Sequence, residues 1–296
     1  MTQSACISNQ KGGCAKTAVA TNVAAGVARK GKKTLLLDLD YQGNASSSLG
    51  VSDLARRSGK TISNGIFNSV PASDIILETA FPDLYVAAGD MELHRISTDL
   101  ALTPGANQFL KEWIHDDKAL REFEYIFIDT HPSLCMLFQN AMTFADYYFV
   151  PTFPEADSFD GLPLMFRTIE TIQKRMNPTL YFLGLVISRM NKNNDTHKKY
   201  RKRLLSFARE RDINILGVIP ESTAIAAASD RKMPVINYKA HLPVSQAYDE
   251  LADDLIELLV VRRGRTPSTP KISKNDILNI HDFGLGVESN DIEVKL

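Results

Sequence analysis

The chain has 296 residues, of which 44% are hydrophobic, and its formal net charge at pH 7 is −1. This composition allows a sizeable core and excludes a uniformly basic nucleic-acid-binding protein, so a nucleic-acid contact has to come from a local basic patch. Three cysteines, Cys6, Cys14 and Cys135, are too few and too scattered for a disulfide framework or a zinc site, and they favour a reducing compartment. The first ten residues lack a signal-peptide pattern, and no run of about 18 apolar residues indicates a membrane span.

Short apolar runs alternate with helix-like segments along the chain. The runs predict strands at residues 4–8, 34–39, 84–88, 125–129, 147–151, 181–187 and 213–219. Helical patterns cover residues 17–29, 136–145, 162–176, 198–209 and 244–261. Several of the strands are apolar without alternation, which is typical of strands buried on both faces. The sequence therefore predicts an α/β fold with a mainly parallel, twisted sheet, helices on both faces, and ligands bound at the carboxyl edge of the strands.

A glycine-rich segment follows the first predicted strand, where residues 6–17 read CISNQKGGCAKT. Glycines let backbone N–H groups approach oxyanions, and the start of the following helix adds a partial positive charge. Lys16 can reach the β- and γ-phosphates of a nucleotide, and the Thr17 hydroxyl can bind Mg²⁺. The segment departs from the standard G-x-x-x-x-G-K-[ST] motif at both glycine positions and matches K-G-G-x-x-K-[ST], with Lys11 as a second lysine.

Acidic residues close two of the later predicted strands. Asp38 and Asp40 begin the sequence DLDYQGN, and residues at i and i+2 leave a strand on the same side, at the edge where the glycine-rich loop lies. Asp129 ends an apolar strand and begins the sequence DTHPSL. An acid at the end of an apolar strand is the Walker B arrangement, in which the carboxylate lies near Mg²⁺ and usually contacts it through water.

These segments, in this order, resemble the ParA/MinD family of deviant Walker A ATPases, which are P-loop NTPases, and they are most similar to its ParA-type, Soj-like partition ATPases. The family reads D-x-D-P-Q-G-N and D-x-P-P-S-L, so Tyr41 and His131 stand where it has proline. Two later segments, residues 217–222 and 233–236, are similar to its G-x-I-P and K-P-V segments. The resemblance covers about residues 1–260. We expect one ATPase domain at residues 1–262 and a flexible C-terminal tail at residues 263–296.

The resemblance implies ATP and Mg²⁺ as cofactors and a role for each motif residue. Lys11 contacts the partner subunit's nucleotide in an ATP-bound homodimer, while Lys16 binds the nucleotide of its own subunit. Asp40 orients or activates the attacking water, and Lys11, Lys16 and Asp40 are therefore the expected catalytic residues. Thr17, Asp38 and Asp129 are expected to hold or support Mg²⁺. The remaining expected ATP contacts are Gly12, Gly13, Cys14, Ala15, Ala18, Arg189 and Pro220.

Two further features bear on the function. Ala15 and Ala18 replace the family's usual glycine and threonine, and a methyl group at position 15 lies where the backbone approaches the phosphates, so we expect slow turnover. Residues 192–211 carry eight basic and two acidic side chains, a local net charge of +6. Such a helix can neutralise backbone phosphates or can be a solvated surface. The expected DNA contacts are Lys198, Lys199, Arg201, Lys202 and Arg203.

We therefore expect a ParA-type partition ATPase, cytoplasmic and associated with the nucleoid. An ATP-dependent homodimer would bind DNA non-specifically and segregate or position a plasmid, a chromosome or other cargo. A ParB-like or cargo adaptor protein would stimulate its slow ATP hydrolysis. Two alternatives stay open: a MinD-like, membrane-associated division-site regulator, and a nucleotide-binding regulator with little hydrolysis. The MinD-like function needs a basic amphipathic helix, and the acidic stretch at residues 275–286 is a poor one.

Overall fold

The computed structural model describes residues 2–99, 104–115 and 117–261. The expected C-terminal tail at residues 263–296 and the stretch at residues 275–286 lie outside the described residues, as does the domain boundary at residue 262. Within the described ranges, no helix combines the length and the apolar character that crossing a bilayer requires.

Eight strands and a set of helices of very different lengths make up the described part of the chain. The strands are β1 Gln3–Ile7, β2 Thr34–Leu39, β3 Leu77–Glu78, β4 Leu84–Ala87, β5 Tyr125–Thr130, β6 Tyr147–Thr152, β7 Tyr181–Met190 and β8 Ile215–Pro220. The helices are α1 Lys16–Arg29, α2 Asn44–Ser48, α3 Ser52–Ser58, α4 Ile62–Phe67, α5 Ala72–Ile75, α6 Leu93–Asp99, α7 Phe109–His115, α8 Met136–Phe144, α9 Ala156–Asp160, α10 Leu162–Arg175, α11 Asp195–Glu210, α12 Ala224–Asp230, α13 Val235–Tyr238 and α14 Pro243–Val261, with a 3₁₀ turn at Lys118–Glu122.

The strands form one sheet in the order β3-β4-β2-β5-β1-β6-β7-β8. All pairings are parallel except that of β3 with β4. The predicted α/β fold with a mainly parallel sheet is confirmed, and each of the seven predicted strands is present with its ends shifted by at most three residues.

Helices cover both faces of the sheet because the strands are apolar on both faces. In β2, Leu35, Leu37 and Leu39 belong to one core cluster, which includes α8, α10 and α11. Leu36 points the other way into a second cluster, which includes α1 and α14. Alternate residues of a strand face opposite sides, so an unbroken apolar run fills two cores at once.

The strand order determines where a ligand can bind. β1 lies between β5 and β6 at the centre of the sheet. The connection after β1 runs through α1 towards β2, while the connection after β6 runs through α10 towards β7 on the opposite side. Connections that leave neighbouring strands in opposite directions open a crevice at their carboxyl ends. The glycine-rich loop after β1 lies at this crevice.

Several elements were not predicted from the sequence. They are the edge strand β3, which has two residues, and short helices such as α2, α5 and α9, which have four or five residues each. An α-helix of this length makes little more than one turn, so it shows no hydrophobic periodicity.

Candidate nucleotide site

The glycine-rich loop after β1 has a strained, open backbone. Gly13 has a φ of 77° and Ala15 a φ of 62°, both in the left-handed region. A Cβ atom on Gly12 or Gly13 would meet nothing within 4 Å, so these glycines leave an open surface that a ligand can approach. Ala15 precedes α1 and has no side chain that could cap this helix. The N–H groups of the first turn therefore donate to no capping side chain. At Ala15 the left-handed conformation costs about 1 kcal/mol relative to glycine.

Two buried polar side chains hold this loop, one in the loop itself and one on β7. The Asn9 amide donates to the Pro151 carbonyl at 2.7 Å, and its oxygen accepts from the Lys11 N–H at 3.0 Å. The Ser188 hydroxyl, at the end of β7, donates to the Cys14 carbonyl at 3.0 Å. These contacts fix the loop before any ligand binds. Sequence reasoning missed Asn9 and Ser188, because a single buried amide or hydroxyl has no motif.

Lys16 is the buried cation of the loop. Its side chain is 7% exposed, and Nζ donates to the Lys11 carbonyl at 3.2 Å. Burial lowers the pKa of Lys16, while the carboxylates of Asp129 and Asp40 oppose that shift. An ammonium group with few partners, held under an open loop beside carboxylates, can bind phosphate oxygens.

Asp38 and Asp129 lie opposite each other where β2 pairs with β5, and both are fully buried. Asp38 Oδ2 accepts from the Ser46 N–H at 2.8 Å and from the Ser46 hydroxyl at 2.6 Å, and Oδ1 accepts from the Asp40 N–H at 3.3 Å. Burial raises the pKa of Asp38 to about 6, although the Ser46 bonds oppose the shift. Asp38 therefore organises the loop that follows β2, and the expected support of Mg²⁺ would be indirect.

Gly89 makes this arrangement possible. A Cβ atom there would lie 2.5 Å from the Asp38 carbonyl and 2.7 Å from the Asp40 carbonyl. The chain after β4 thus packs directly against the acidic end of β2, which any side chain would prevent. Asp40 itself is 6% exposed, and its Oδ1 accepts from the Gln42 N–H at 3.0 Å. Neither Gly89 nor Ser46 was singled out from the sequence.

Asp129 carries the clearest electrostatic signal. Burial, and then the Asp38 charge, raise the pKa of Asp129 well above its usual value. The Thr17 hydroxyl and the Lys16 ammonium lower it, yet neither carboxylate oxygen accepts a hydrogen bond of full geometry from the described residues. A buried carboxylate that lacks a well-formed hydrogen bond is costly and fits a bound cation. Its oxygens and the Thr17 hydroxyl are the ligand type that Mg²⁺ prefers, so these residues fit the expected ion.

A cavity of about 900 Å³ opens beside the loop. Of the expected ATP contacts, its lining includes Ala15, Thr17, Ala18 and Arg189. This volume is within the range for a nucleotide-sized ligand. Pro220 instead lines a neighbouring cavity of about 540 Å³. The structure therefore brings Arg189 to the phosphate loop and leaves Pro220 outside this cavity.

Arg189 is held in place by several groups. It has a φ of 52°, and its guanidinium donates to the Gly13 carbonyl at 3.4 Å. The same group lies 3.7 Å from a Glu221 carboxylate oxygen and 4.8 Å from the centre of the Phe153 ring. Arg189 therefore joins the end of β7 to the glycine-rich loop.

The backbone carbonyl of Lys11 accepts from Lys16, whereas the Lys11 side chain pairs with two acids. Its Nζ is 3.1 Å from Asp157 Oδ2 and 3.9 Å from Glu155 Oε2, at the start of α9. The Asp157 side chain is 76% exposed. In the single chain the second lysine is thus engaged by acids of its own subunit, through ion pairs of a weak, solvated kind.

The basic segment forms the exposed face of α11. Leu204 and Phe207 are buried on its inner face, whereas the exposed face carries Lys198, Lys199, Arg201 and Lys202. Arg203 differs from these four: it is half-buried, and its guanidinium lies 5.2 Å from the ring centres of Phe159 and Tyr200. The structure therefore leaves four of the five expected DNA contacts facing solvent.

Comparisons with known proteins agree with this geometry. A family model described as AAA domain matches residues 2–182. The chain is 32% identical over 250 residues to the chromosome partitioning protein ParA of Caulobacter vibrioides, covering 84% of this chain and 92% of that protein. It is 28% identical over 248 residues to the chromosome-partitioning ATPase Soj of Treponema pallidum, covering 84% and 94%. Among solved structures, cobyrinic acid a,c-diamide synthase from Mycobacterium smegmatis with bound ADP and magnesium has a TM-score of 0.74 and 26% identity, covering 92% of this chain and 100% of that chain.

Proposed function

Because this chain belongs to the ParA/Soj family of P-loop partition ATPases, we propose that it binds ATP and Mg²⁺ at the carboxyl edge of its sheet and uses hydrolysis to control a DNA-binding homodimer. The observation that carries the proposal is the Asp129 carboxylate, buried without a full hydrogen bond beside Lys16 and Thr17. That combination leaves an acidic group that a Mg²⁺ ion bound together with the phosphates would satisfy.

Each residue of the site has a separate task in the proposed reaction. The loop N–H groups and Lys16 bind the β- and γ-phosphates, while Thr17 and Asp129 hold the ion, directly or through water. Mg²⁺, when bound, neutralises charge on the phosphate oxygens. Asp40 orients the water for in-line attack on the γ-phosphate, and Lys16 stabilises the charge that develops there. Ala15 adopts the left-handed conformation despite its Cβ atom, so the loop accommodates alanine there at some cost in strain. Its methyl group lies where the backbone approaches the phosphates, which is the reason for the slow turnover that we propose.

Dimerisation requires Lys11 to change partners. To contact the partner subunit's nucleotide it must leave Glu155 and Asp157, and exposed ion pairs of this type contribute only about 0–1 kcal/mol. A phosphate of much higher charge density can therefore displace them. Lys11→Ala should leave ATP binding by the single subunit intact and abolish the ATP-dependent dimer, measured by light scattering.

A matched control for this variant is Lys30→Ala. Lys30 also lies between two acids, Asp249 at 3.3 Å and Asp253 at 3.0 Å, but at the far end of α1. The control should dimerise with ATP as the wild type does. An undisturbed dimer in Lys11→Ala would remove Lys11 from the interface.

DNA binding would come from α11. Its exposed cations cover a broad face, which suits the phosphate backbone better than the edges of particular bases. Two such faces on one dimer would bind one DNA with avidity, so ATP would control DNA affinity through dimerisation. A ParB-like or cargo adaptor protein would then release the dimer by stimulating hydrolysis. These properties would locate the protein in the cytoplasm, on the nucleoid.

The direct test is the binding of a duplex of arbitrary sequence with ATP, with ADP and without nucleotide, in parallel with anionic vesicles. The proposal expects DNA binding only with ATP and no vesicle binding. Vesicle binding without DNA binding would contradict it in favour of the MinD-like alternative. Tight ATP binding with neither partner nor hydrolysis would contradict it in favour of a nucleotide-binding regulator.

A further inference from the structure

Two aromatic rings connect the loops that carry Asp40 and Asp129. Tyr41 follows Asp40 directly, and His131 comes two residues after Asp129. Their ring centres are 4.2 Å apart with an interplanar angle of 26°, which is a stacked pair. These are the two positions at which the resembling family pattern has proline. Both departures from that pattern therefore occupy a single contact.

The stack is fixed from both sides. The His94 ring of α6 meets the Tyr41 ring edge-on, with centres 5.4 Å apart at 85°. On the other side, His131 Nδ1 and the Ser133 hydroxyl are 3.0 Å apart, a hydrogen-bond distance. Tyr41 also packs against the hydrophobic core. A ring pair supported in this way has a defined position rather than a loose surface contact.

Replacing two prolines by a stacked pair changes what restrains the loops. Proline fixes the φ angle of its own segment and acts within one loop. The stacked rings belong to different loops, so they restrain the segments after β2 and β5 relative to each other. The turn after Asp40 transmits this restraint, since the Gly43 N–H donates to the Asp40 carbonyl at 2.8 Å and the Gln42 N–H to Asp40 Oδ1 at 3.0 Å.

We propose that Tyr41 and His131 are positioning residues that clasp the Asp40 loop to the Asp129 loop and thereby fix the water-orienting carboxylate relative to the Mg²⁺-binding carboxylate. This role rests on the proposed ATPase function. The pair acts through the position of Asp40, whose proposed task concerns the attacking water and not the nucleotide. We therefore expect the pair to affect the rate of hydrolysis and to leave ATP affinity largely unchanged.

The test is a double-mutant cycle with Tyr41→Ala and His131→Ala. Misplacement of a catalytic group by about 1 Å can cost about 100-fold in rate, so we expect kcat for ATP hydrolysis to fall about tenfold or more in each variant. The double variant should be no worse than either single one, because the rings act only as a pair. ATP affinity should stay within about twofold of the wild type.

Conservative variants separate stacking from other roles. Tyr41→Phe and His131→Phe keep a ring in place and should retain most of kcat. Tyr85→Ala is the matched control, because Tyr85 makes an edge-on contact with Phe123, 5.3 Å between ring centres, at the opposite end of the strands. This control should leave kcat unchanged.

Hydrogen exchange of the nucleotide-free protein gives a readout that does not depend on activity. Either alanine variant should speed exchange in both loops, residues 38–45 and residues 129–135, although only one of them carries the substitution. Faster exchange confined to the substituted loop would overturn the proposed positioning role. Additive losses of kcat in the double variant, or an unchanged kcat in active protein, would overturn it as well. A wild-type protein without ATPase activity would overturn the proposed function together with this role.

Discussion

The nucleotide edge and the basic helix α11 both carry charge, but they hold it in opposite ways. At the nucleotide edge Lys16, Asp38 and Asp129 are almost fully buried, and each has its own surroundings. On α11 the cations, such as Lys199 and Lys202, face solvent and are neighbours of one another. A buried charge performs a task that no neighbour can take over, whereas exposed charges of one sign replace each other. Single substitutions should therefore have large effects at the edge and small effects on the helix.

The largest effect is expected for Asp40→Ala. A group that positions or activates the attacking water contributes about 10²–10⁴-fold, so kcat should fall by that factor while ATP affinity and the dimer are retained. Phosphate release and nucleotide titration measure the two properties. The control is Asp53→Ala, since Asp53 is an exposed acid paired with Arg56. Hydrolysis at the wild-type rate would remove Asp40 from the mechanism.

Lys16→Ala should weaken ATP binding by about 100-fold, because it removes the buried cation of the phosphate loop. Titration calorimetry measures the loss. Lys32→Ala, which removes an exposed lysine paired with Glu124, is the control and should bind ATP normally. Wild-type affinity in Lys16→Ala would contradict the assignment of the loop.

Asp129→Asn tests whether the buried Asp129 carboxyl group lowers the free energy of unfolding. Because burial raises the pKa of Asp129 above its unfolded value, this carboxyl group destabilises the nucleotide-free fold at pH 7. The variant should be more stable by about 1–3 kcal/mol in denaturant unfolding, yet lose the additional stability that Mg²⁺ and ATP confer.

The pH dependence of this difference has a definite sign. A carboxyl group with a raised folded-state pKa imposes its penalty above that pKa and none below its unfolded value of about 4. The advantage of Asp129→Asn should therefore shrink as the pH falls through the raised pKa. A variant less stable than the wild type at pH 7 would contradict the unsatisfied carboxylate.

The smallest effect is expected for Lys199→Ala. One cation among several on an exposed face neutralises about one phosphate, so DNA affinity should fall only a few-fold and the salt slope by about one. Arg203→Ala should leave the slope unchanged, since that side chain packs on Phe159 and Tyr200. A large loss from Lys199→Ala alone would show that the helix reads DNA at one position. It would contradict the expectation that the exposed cations of α11 replace each other.

Sequence patterns single out residues where a motif is local and miss residues whose support depends on tertiary contact. The glycine-rich loop and the acids at strand ends have fixed spacing, so the sequence singled out Lys16, Asp38 and Asp129 as candidates, and the structure buries all three. Ser46 and Gly89 support Asp38 from other segments, and no spacing rule links them to it. Support of this kind becomes visible only when distant segments are packed together.

The sequence indicated only in part that Arg203 lies inward, because its contact with Phe159 is a tertiary one. Leu204 and Phe207 mark the buried stripe of α11, and Arg203 directly precedes Leu204, at the border of that stripe. A helical projection separates Arg203 from Lys202, but it places Arg203 about 40° from Lys199 on the same face, so the projection alone does not distinguish these two. The short helices could not be predicted from the sequence, because a single helical turn shows no hydrophobic periodicity.

The most direct test of α11 as the DNA-binding surface uses the variant Lys199→Glu/Arg201→Glu/Lys202→Glu. The measurement is the salt dependence of its DNA binding in saturating ATP. A control of the same charge change is Arg56→Glu/Arg57→Glu/Lys60→Glu, at the end of α3. We expect the α11 variant to dimerise with ATP but to bind DNA at least about 100-fold more weakly, with a salt slope lower by about three, while the control keeps most of the affinity. Affinity and slope equal to those of the wild type would contradict α11 as the DNA-binding surface.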